Sequence, residues 1–382
     1  FLEGPTVNLL RSDAPSEAVI AFATDDLVRA SVQIERSGAG AQTFHEERST
    51  RRHEIAVSGL EPGSEHVYSV KAGSLESRKL TFRAAPRKGE ALVRFAYLGD
   101  SRAGPGGGLS SFMGVNHDTL SRLAHLARSE GAAFLAIGGD LVSGYTSVPD
   151  DFLTQLQAWK QAMAGFWIER PIYAAMGNHE ALLRAFEGAS VDRWPYDTQS
   201  AEAVFADMFV HPRNGPQPSD PRRPSYLENV YSFHYGPVKL IAFNNNYWMS
   251  NVSEKYGGCP EGYILGEQLD WIRSELEAAD KDPAVAYVIL YAQEPVFPNG
   301  GHLGDTMWTG GDNRVRAHVY KDPNVLPEED GLIVVRNKLV RMAASSRKVA
   351  AVLGADEHAY HHVLIGKDVP IGDIDRDDRN KS

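Results

Sequence analysis

The 382-residue sequence has a single cysteine, Cys259. No intrachain disulfide can form, so a hydrophobic core has to hold the fold. Nothing around Cys259 in the sequence points to a low-pKa thiol, and it reads as an incidental loop residue. Long apolar runs are also missing. None approaches the roughly 20 residues that cross a bilayer, so no membrane span is expected. Positive charge is scarce: 39 Lys and Arg face 50 Asp and Glu, for a formal net charge of −11. That balance argues against a general nucleic-acid or membrane-surface binder, because both need a basic field. An initiator methionine is absent at Phe1, which suggests a processed N-terminus and export to the periplasm or the outside.

What is present is ordinary globular material. Hydrophobic residues make up 42% and charged residues 23%, enough for a sizeable core and too little polarity for disorder. Residues 1–86 read as a small all-β domain. Ala18–Phe22, Ala30–Ile34 and His66–Val70 are short strand-like runs between turn signals. The stretch Leu60–Val70 resembles a turn and strand of a fibronectin type III-like sandwich. Ala84–Glu90 is expected to be a linker.

From residue 91 the pattern changes to continuous apolar runs alternating with helical stretches, which suits an α/β domain over residues 91–367. Helices are expected at Asn116–Ser129, Phe152–Met163, Ala201–Met208, Glu267–Ala279 and Leu332–Ala344. Residues 180–230 and 297–330 read as long loops, a class that often forms functional lids. Residues 368–382 are polar and read as a mobile tail.

Five apolar runs end in a polar residue that can hold a metal. Val93–Leu98 runs into Gly99-Asp100, Phe134–Ile137 into Gly138-Gly139-Asp140, and Ile172–Met176 into Gly177-Asn178-His179-Glu180. Tyr287–Ala292 runs into Gln293-Glu294, and Val349–Leu353 into Gly354-Ala355-Asp356-Glu357-His358. Ligands of parallel sheets bind beyond the carboxyl ends of the strands. Glycine before the ligand lets the backbone turn and approach closely. One Gly-Asp pair means little; five strand ends in register converge six candidate ligands on one rim.

On these residues the sequence resembles the calcineurin-like metallophosphoesterase superfamily. With the β-sandwich in front, the layout is similar to purple acid phosphatases. The resemblance implies a four-layer α/β/β/α sandwich and one or two divalent metal ions. Asp140 would bridge both ions, with Asp100 and His358 at the first and Asn178, Gln293 and Asp356 at the second. His179 would assist the leaving group as proton donor or transition-state stabiliser. The substrate implied is a small phosphate mono- or diester, with Asn178 contacting it beside the metal.

Three positions depart from the family pattern. Arg102 stands where the first motif carries His, Gln293 where the fourth does, and Asp356 where the fifth does. Arg102 cannot ligate a metal, but its planar fork suits a substrate phosphate, or alternatively a salt bridge to Asp356 or another acid. Gln293 and Asp356 supply hard oxygen donors, so Mn, Mg, Ca or Fe is favoured over Zn. Tyr145 lies five residues after Asp140, whereas the purple phosphatases place an iron-binding tyrosine where this chain has Ser143. A charge-transfer iron site is therefore not expected.

Around the rim, His302, Trp308 and Asp312 are candidate substrate contacts. One of Asn244, Asn245 and Asn246 is a candidate to face the pocket, and His361 and His362 read as strand histidines. The leading expectation is a hydrolase of phosphate mono- or diesters. The alternatives are a binding protein on a catalytically diverged scaffold, or a metalloenzyme for a non-phosphoester substrate. Oligomeric state is left open.

Overall fold

The computed structural model describes residues 1–36, 40–102 and 111–366; the polar tail expected at 368–382 lies outside them. The N-terminal region is all-β. One sheet pairs Glu3–Leu9, Glu17–Val28 and Thr50–Ser58. The other pairs Gly40–His45, Ala30–Arg36 and Glu65–Ala72, with Leu80–Arg83 on Glu65–Ala72. Alternation drives this: Val32 and Ile34, or Tyr68 and Val70, turn inward to one core while intervening residues meet solvent.

The rest is a four-layer α/β/β/α sandwich. A first parallel sheet orders Ile172–Ala174, Leu135–Ile137 and Ala96–Leu98. A second orders Tyr231–Tyr235, Val238–Ala242, Tyr287–Tyr291 and Val349–Leu353, antiparallel only at the first pair. Each inner strand is apolar on both faces, and the period of two sorts its residues between layers. Phe134 and Ala136 join Tyr173, Phe233 and Leu240 between the sheets. Leu135 and Ile137 face the other way, onto helices His117–Ser129 and Pro149–Trp167. Ile241 and Leu290 likewise turn outward to helices Gly266–Lys281 and Leu332–Ser345. No helix is long and apolar enough to cross a membrane among the described residues.

The β-sandwich is joined to the α/β layers by a shared core. Trp167 donates its indole N–H to Asn8 Oδ1 at 3.1 Å, and the Tyr173 hydroxyl donates to the Leu9 carbonyl at 3.1 Å. The segment expected to be a free linker takes part in this: Ala84 and Ala85 are buried in the shared core. Cys259 lies outside the helices and strands, as expected of a loop residue. It is fully buried under helix Gly266–Lys281, beside Trp248 and Ile264, and burial pushes its thiol well above the usual range.

The helices match the expected positions, with longer ends: the second runs Pro149–Trp167 and the fourth Gly266–Lys281. The two long loops contain structure of their own. The first holds a ribbon, Leu183–Phe186 with Ala189–Asp192, and helix Ala201–Met208. The second holds the ribbon His318–Lys321 with Asn324–Pro327. His361 and His362 lie outside any strand and are exposed, because the last strand ends at Leu353.

Candidate metal centre

All five strand ends reach one rim. The backbone that delivers the ligands is tightly turned. Asp100, Asp140, Asp356 and His358 all have positive φ, between 49° and 67°, a conformation that non-glycine residues rarely adopt and that concentrates at functional sites. Gly139 also has positive φ, and its α-carbon packs against the Gly177 backbone and the Gln293 side chain. The strand ends carrying Asp140, Asn178 and Gln293 are thus in contact because a side chain is missing between them.

Glu180 locks two of these turns together. It is fully buried and accepts backbone N–H groups from Asp140 at 2.9 Å, Val142 at 3.2 Å and Gly177 at 2.7 Å. Burial still pushes its carboxyl up to about 7, against the pull of those N–H groups. Nothing in the sequence pattern gives Glu180 a role; in the structure it holds the turns that carry Asp140 and Asn178 together.

The ligand candidates meet as follows. Asp100 accepts the Gln293 side-chain N–H at 3.0 Å and the Asp356 backbone N–H at 3.0 Å on both oxygens. Asp140 accepts the His179 backbone N–H at 3.2 Å. Asn178 donates to the Tyr145 hydroxyl at 2.7 Å. His358 Nε2 lies 3.9 Å from Asp100. Arg102 takes the ion-pair alternative, with another acid than Asp356. It pairs not with Asp356 but with Asp140, Nε to Oδ2 at 3.4 Å, and its Nη2 lies 3.4 Å from His358 Nε2.

Buried polar atoms are normally satisfied, yet five oxygens here are not. Asp140 Oδ2, Asn178 Oδ1, Gln293 Oε1, Glu294 Oε2 and Asp356 Oδ2 are buried without a hydrogen-bond donor. That is the arrangement a cation answers, and the donor set fits a divalent ion. The donors are carboxylate and amide oxygens, with His358 adding one imidazole, which suits a hard ion. Crowded negative charge has the matching electrostatic effect. Burial, then Glu180 and Asp100, push the Asp140 carboxyl well above its ordinary range. Burial, then Asp100 and Asp305, push Asp356 up to about 6, with His302 opposing.

His179 stacks on Tyr145, ring centroids 4.1 Å apart. Its Nδ1 donates to the Ser143 carbonyl at 2.7 Å, leaving Nε2 3.8 Å from Asp140 Oδ2. Burial, joined by the nearby Arg102 guanidinium, lowers its pKa to about 4 against the pull of the Ser143 carbonyl. At neutral pH the ring is therefore neutral with its lone pair on Nε2, an acceptor. Of the two expected roles, proton donor or transition-state stabiliser, the first would require the ring to take up a proton before donating it.

The second long loop does reach the site. Glu357 accepts the backbone N–H groups of Asn299, Gly300 and Gly301 at 2.8, 2.9 and 3.0 Å. Burial works against that carboxylate, but the three N–H groups prevail and hold its pKa below the ordinary range. The loop so anchored brings His302 Nδ1 to 3.2 Å from Asp356 Oδ2. Trp308 and Asp312 are not brought in: Trp308 stacks under Arg336 and Asp312 pairs with Arg314. Of the three asparagines, Asn244 caps Gln268 and Asn229, while Asn245 and Asn246 grip Glu294.

Beyond Asp100 and His358, a cleft of about 620 Å³ follows strand Val349–Leu353 toward Ile365.

Residues 93–360 match the family model of the calcineurin-like phosphoesterases. The chain belongs to that family. An uncharacterized protein of Mycobacterium tuberculosis, present in two strains, is 26% identical over 325 residues. The match covers 76% of this chain and 55% of that protein, so the chain spans about half the length of its curated relatives. Among solved structures, a purple acid phosphatase from yellow lupin (Lupinus luteus) seeds shares the fold, with a TM-score of 0.55 and 14% identity over 78% of this chain and 51% of the lupin chain. PhoD shares it with a TM-score of 0.53 and 13% identity over 93% of this chain and 70% of the PhoD chain.

Proposed function

We propose that this calcineurin-like phosphoesterase hydrolyses phosphate mono- or diesters with one or two divalent ions held at the strand-end rim. The observation that carries this reading is the set of five buried oxygens without a hydrogen-bond partner on residues 140, 178, 293, 294 and 356, of which Asp140 and Asp356 are approached by Arg102 and His302 at 3.4 and 3.2 Å. Asp140 would bridge, Asp100 and His358 would hold one ion, and Asn178, Gln293 and Asp356 the other. Bound there, such ions supply Lewis acidity and lower the pKa of a coordinated water. Hard ions, Mn²⁺, Mg²⁺, Ca²⁺ or Fe²⁺, suit these donors better than Zn²⁺.

The chain's own groups do the rest. Arg102, already at the rim, exchanges its Asp140 contact for the planar, bidentate grip that guanidinium gives a phosphate. His302 and Asn178 flank the same space. His179, neutral with Nε2 free, takes up a proton as the anionic ester arrives and hands it to the leaving oxygen. Export to the periplasm or the outside belongs to this reading, and cell fractionation tests it.

The test is hydrolysis of p-nitrophenyl phosphate and its bis-ester across Mn²⁺, Mg²⁺, Ca²⁺, Fe²⁺ and Zn²⁺. Turnover with a hard ion, falling at least 100-fold in Asp140→Asn, supports the proposal. One observation favours a second reading, a binding protein without catalysis: Arg102 lies against Asp140 and His358, where it partly substitutes for a metal's charge. A folded protein that binds phosphate but turns over neither ester with any ion would establish that reading instead.

A further inference from the structure

We infer that Glu261, Glu294 and Asp356 form a further cation site, selective for a hard divalent ion of the size of Mn²⁺ or Ca²⁺. Glu261 has no part in the strand-end set, while Glu294 Oε2 and Asp356 Oδ2 are among the five oxygens at that rim; Glu261 is what distinguishes this site. Each of the three offers one carboxylate oxygen, and these oxygens lie within 4.8 Å of one another. Ca²⁺ binds oxygens at about 2.3–2.6 Å, so a single ion can span such a spacing.

Proximity of acids alone would mean little. The second observation is that the donors are fixed, buried and unanswered. Glu294 is 1% exposed. Its Oε1 is held by the Asn246 side-chain N–H at 2.7 Å. Its backbone is gripped on both sides by Asn245, at 3.0 and 3.2 Å. The oxygen left for the trio is Oε2, and it has no hydrogen-bond partner. Asp356, 2% exposed, is tied through its backbone N–H to Asp100 and likewise keeps Oδ2 without a hydrogen-bond donor. Glu261 arrives on a separate loop, and that loop is pinned. Its neighbour Gly262 has a φ of +80° and packs against the backbone of Thr306 and Met307, leaving no room for a Cβ.

The charge around the trio does not supply an internal answer. Neither Glu261 nor Glu294 makes an ion pair among the described residues, and the cation nearest Asp356 is His302, at 3.2 Å. Three carboxylates facing one gap, with one imidazole at its edge, ask for a dication. All three donors are oxygens, which excludes a site tuned to soft metals. An ion there would stitch the Glu261 loop to the ends of strands Tyr287–Tyr291 and Val349–Leu353. The site shares Glu294 and Asp356 with the strand-end rim and is told apart from it by Glu261; it can bind its ion whether or not any ester is cleaved.

The experiment counts ions. The full chain is stripped with EDTA and titrated with Mn²⁺ and Ca²⁺ by calorimetry, with Tb³⁺ luminescence as a second probe. Three proteins are compared: wild type, Glu261→Gln, and Asp140→Asn, which impairs the strand-end set but leaves the trio. Wild type should bind one ion more than Glu261→Gln, or bind it at least tenfold more tightly. Asp140→Asn should keep the ion that Glu261→Gln loses. Identical stoichiometry and affinity in wild type and a folded Glu261→Gln overturn the inference, and leave the trio holding protons only. If Glu261→Gln does not fold, wild-type crystals soaked in Mn²⁺ decide. An anomalous peak between the three carboxylates supports the site. A peak at Asp140 alone refutes it, without touching the hydrolase proposal.

Discussion

Replacing Gly139 by alanine should damage the centre more than the fold, and the structure says by how much. A Cβ at this position would sit 2.6 Å from the Gly177 nitrogen, 2.8 Å from the Gly177 α-carbon and 2.7 Å from Gln293 Oε1. Ordinary contact begins near 3.4 Å, so the strand ends must separate by somewhat under 1 Å. Gln293 can swing, but the Gly177 backbone cannot. The φ of +136° adds its own cost. Strain of this kind costs about 1–3 kcal/mol, and overpacking costs about the same again. A fall in melting temperature of roughly 4–10 °C follows. The functional loss should be larger, because a displacement near 1 Å at a reacting centre costs on the order of 100-fold in rate. Gly165→Ala is the matched control. Gly165 is exposed in helix Pro149–Trp167 and nothing lies within 4 Å of its Cβ position, so alanine should stabilise by about 0.5–1 kcal/mol. Thermal melts, Mn²⁺ calorimetry and ester turnover on both variants test the reasoning. A Gly139→Ala protein that melts within 1 °C of wild type and turns over within threefold would refute it.

Three further outcomes follow from the same geometry. Adding Mn²⁺ to EDTA-stripped protein should raise the melting temperature, with about 2.7 kcal/mol gained at 100 times Kd; an unchanged melt with every hard ion would mean that no ion binds the folded state preferentially. Glu357→Gln removes at least one of three backbone anchors on Asn299–Gly301, so amide hydrogen exchange over residues 299–305 should quicken and KM should rise, while the global melt moves little. Asp192 and Glu202 are a buried carboxyl pair whose pKa values are both raised, by burial first and, at Asp192, by the neighbouring charge. Raised folded values mean that the pair's contribution is full below about pH 4 and is lost as pH rises through the folded values. Asp192→Asn mimics the protonated partner, so it should gain on wild type in thermal stability as pH rises from 5 to 8; parallel curves would rule this account out.

The strand-end candidates were legible because they obey a local rule: an apolar run ending in a polar, metal-capable residue, with a glycine just before it at Asp100, Asp140 and Asn178. Asp100, Asp140, Asn178, Gln293, Asp356 and His358 all come to one rim, and Arg102, His179 and His302 join them. What the rule could not show is what these residues do to one another. Glu180, Glu294 and Glu357 each stand within two residues of a candidate ligand in the sequence, and their roles depend on groups 38 to 58 residues away. Glu261 carries no signal at all, since Cys259-Pro260-Glu261-Gly262 reads as an ordinary turn. The tautomer of His179 is set by the Ser143 carbonyl, a backbone atom whose direction no side-chain pattern encodes. The depth of Cys259 was not legible for a related reason: nothing in a Gly- and Pro-flanked cysteine shows that it is covered by a buried apolar cluster including Trp248.

Arg102 is the departure that bears hardest on function, and charge decides how to weigh it. Beside it stand Asp100, Asp140, Glu294 and Asp356, four carboxylates on one rim, with Glu180 buried directly behind Asp140. One guanidinium cannot neutralise them. The pKa directions say the same: even with Arg102 in place, Asp140 and Glu294 are pushed well above their ordinary range and Asp356 to about 6. Carboxylates left in that state must either hold protons or hold cations. A scaffold drifting away from metal binding is expected to shed such acids, because buried unpaired charge is costly. This chain has instead placed an acid at position 356 and kept Glu294 pinned by two asparagines. The substitution of Arg102 therefore reads as a change in who meets the substrate, with the demand for divalent cations carried by the oxygens around it.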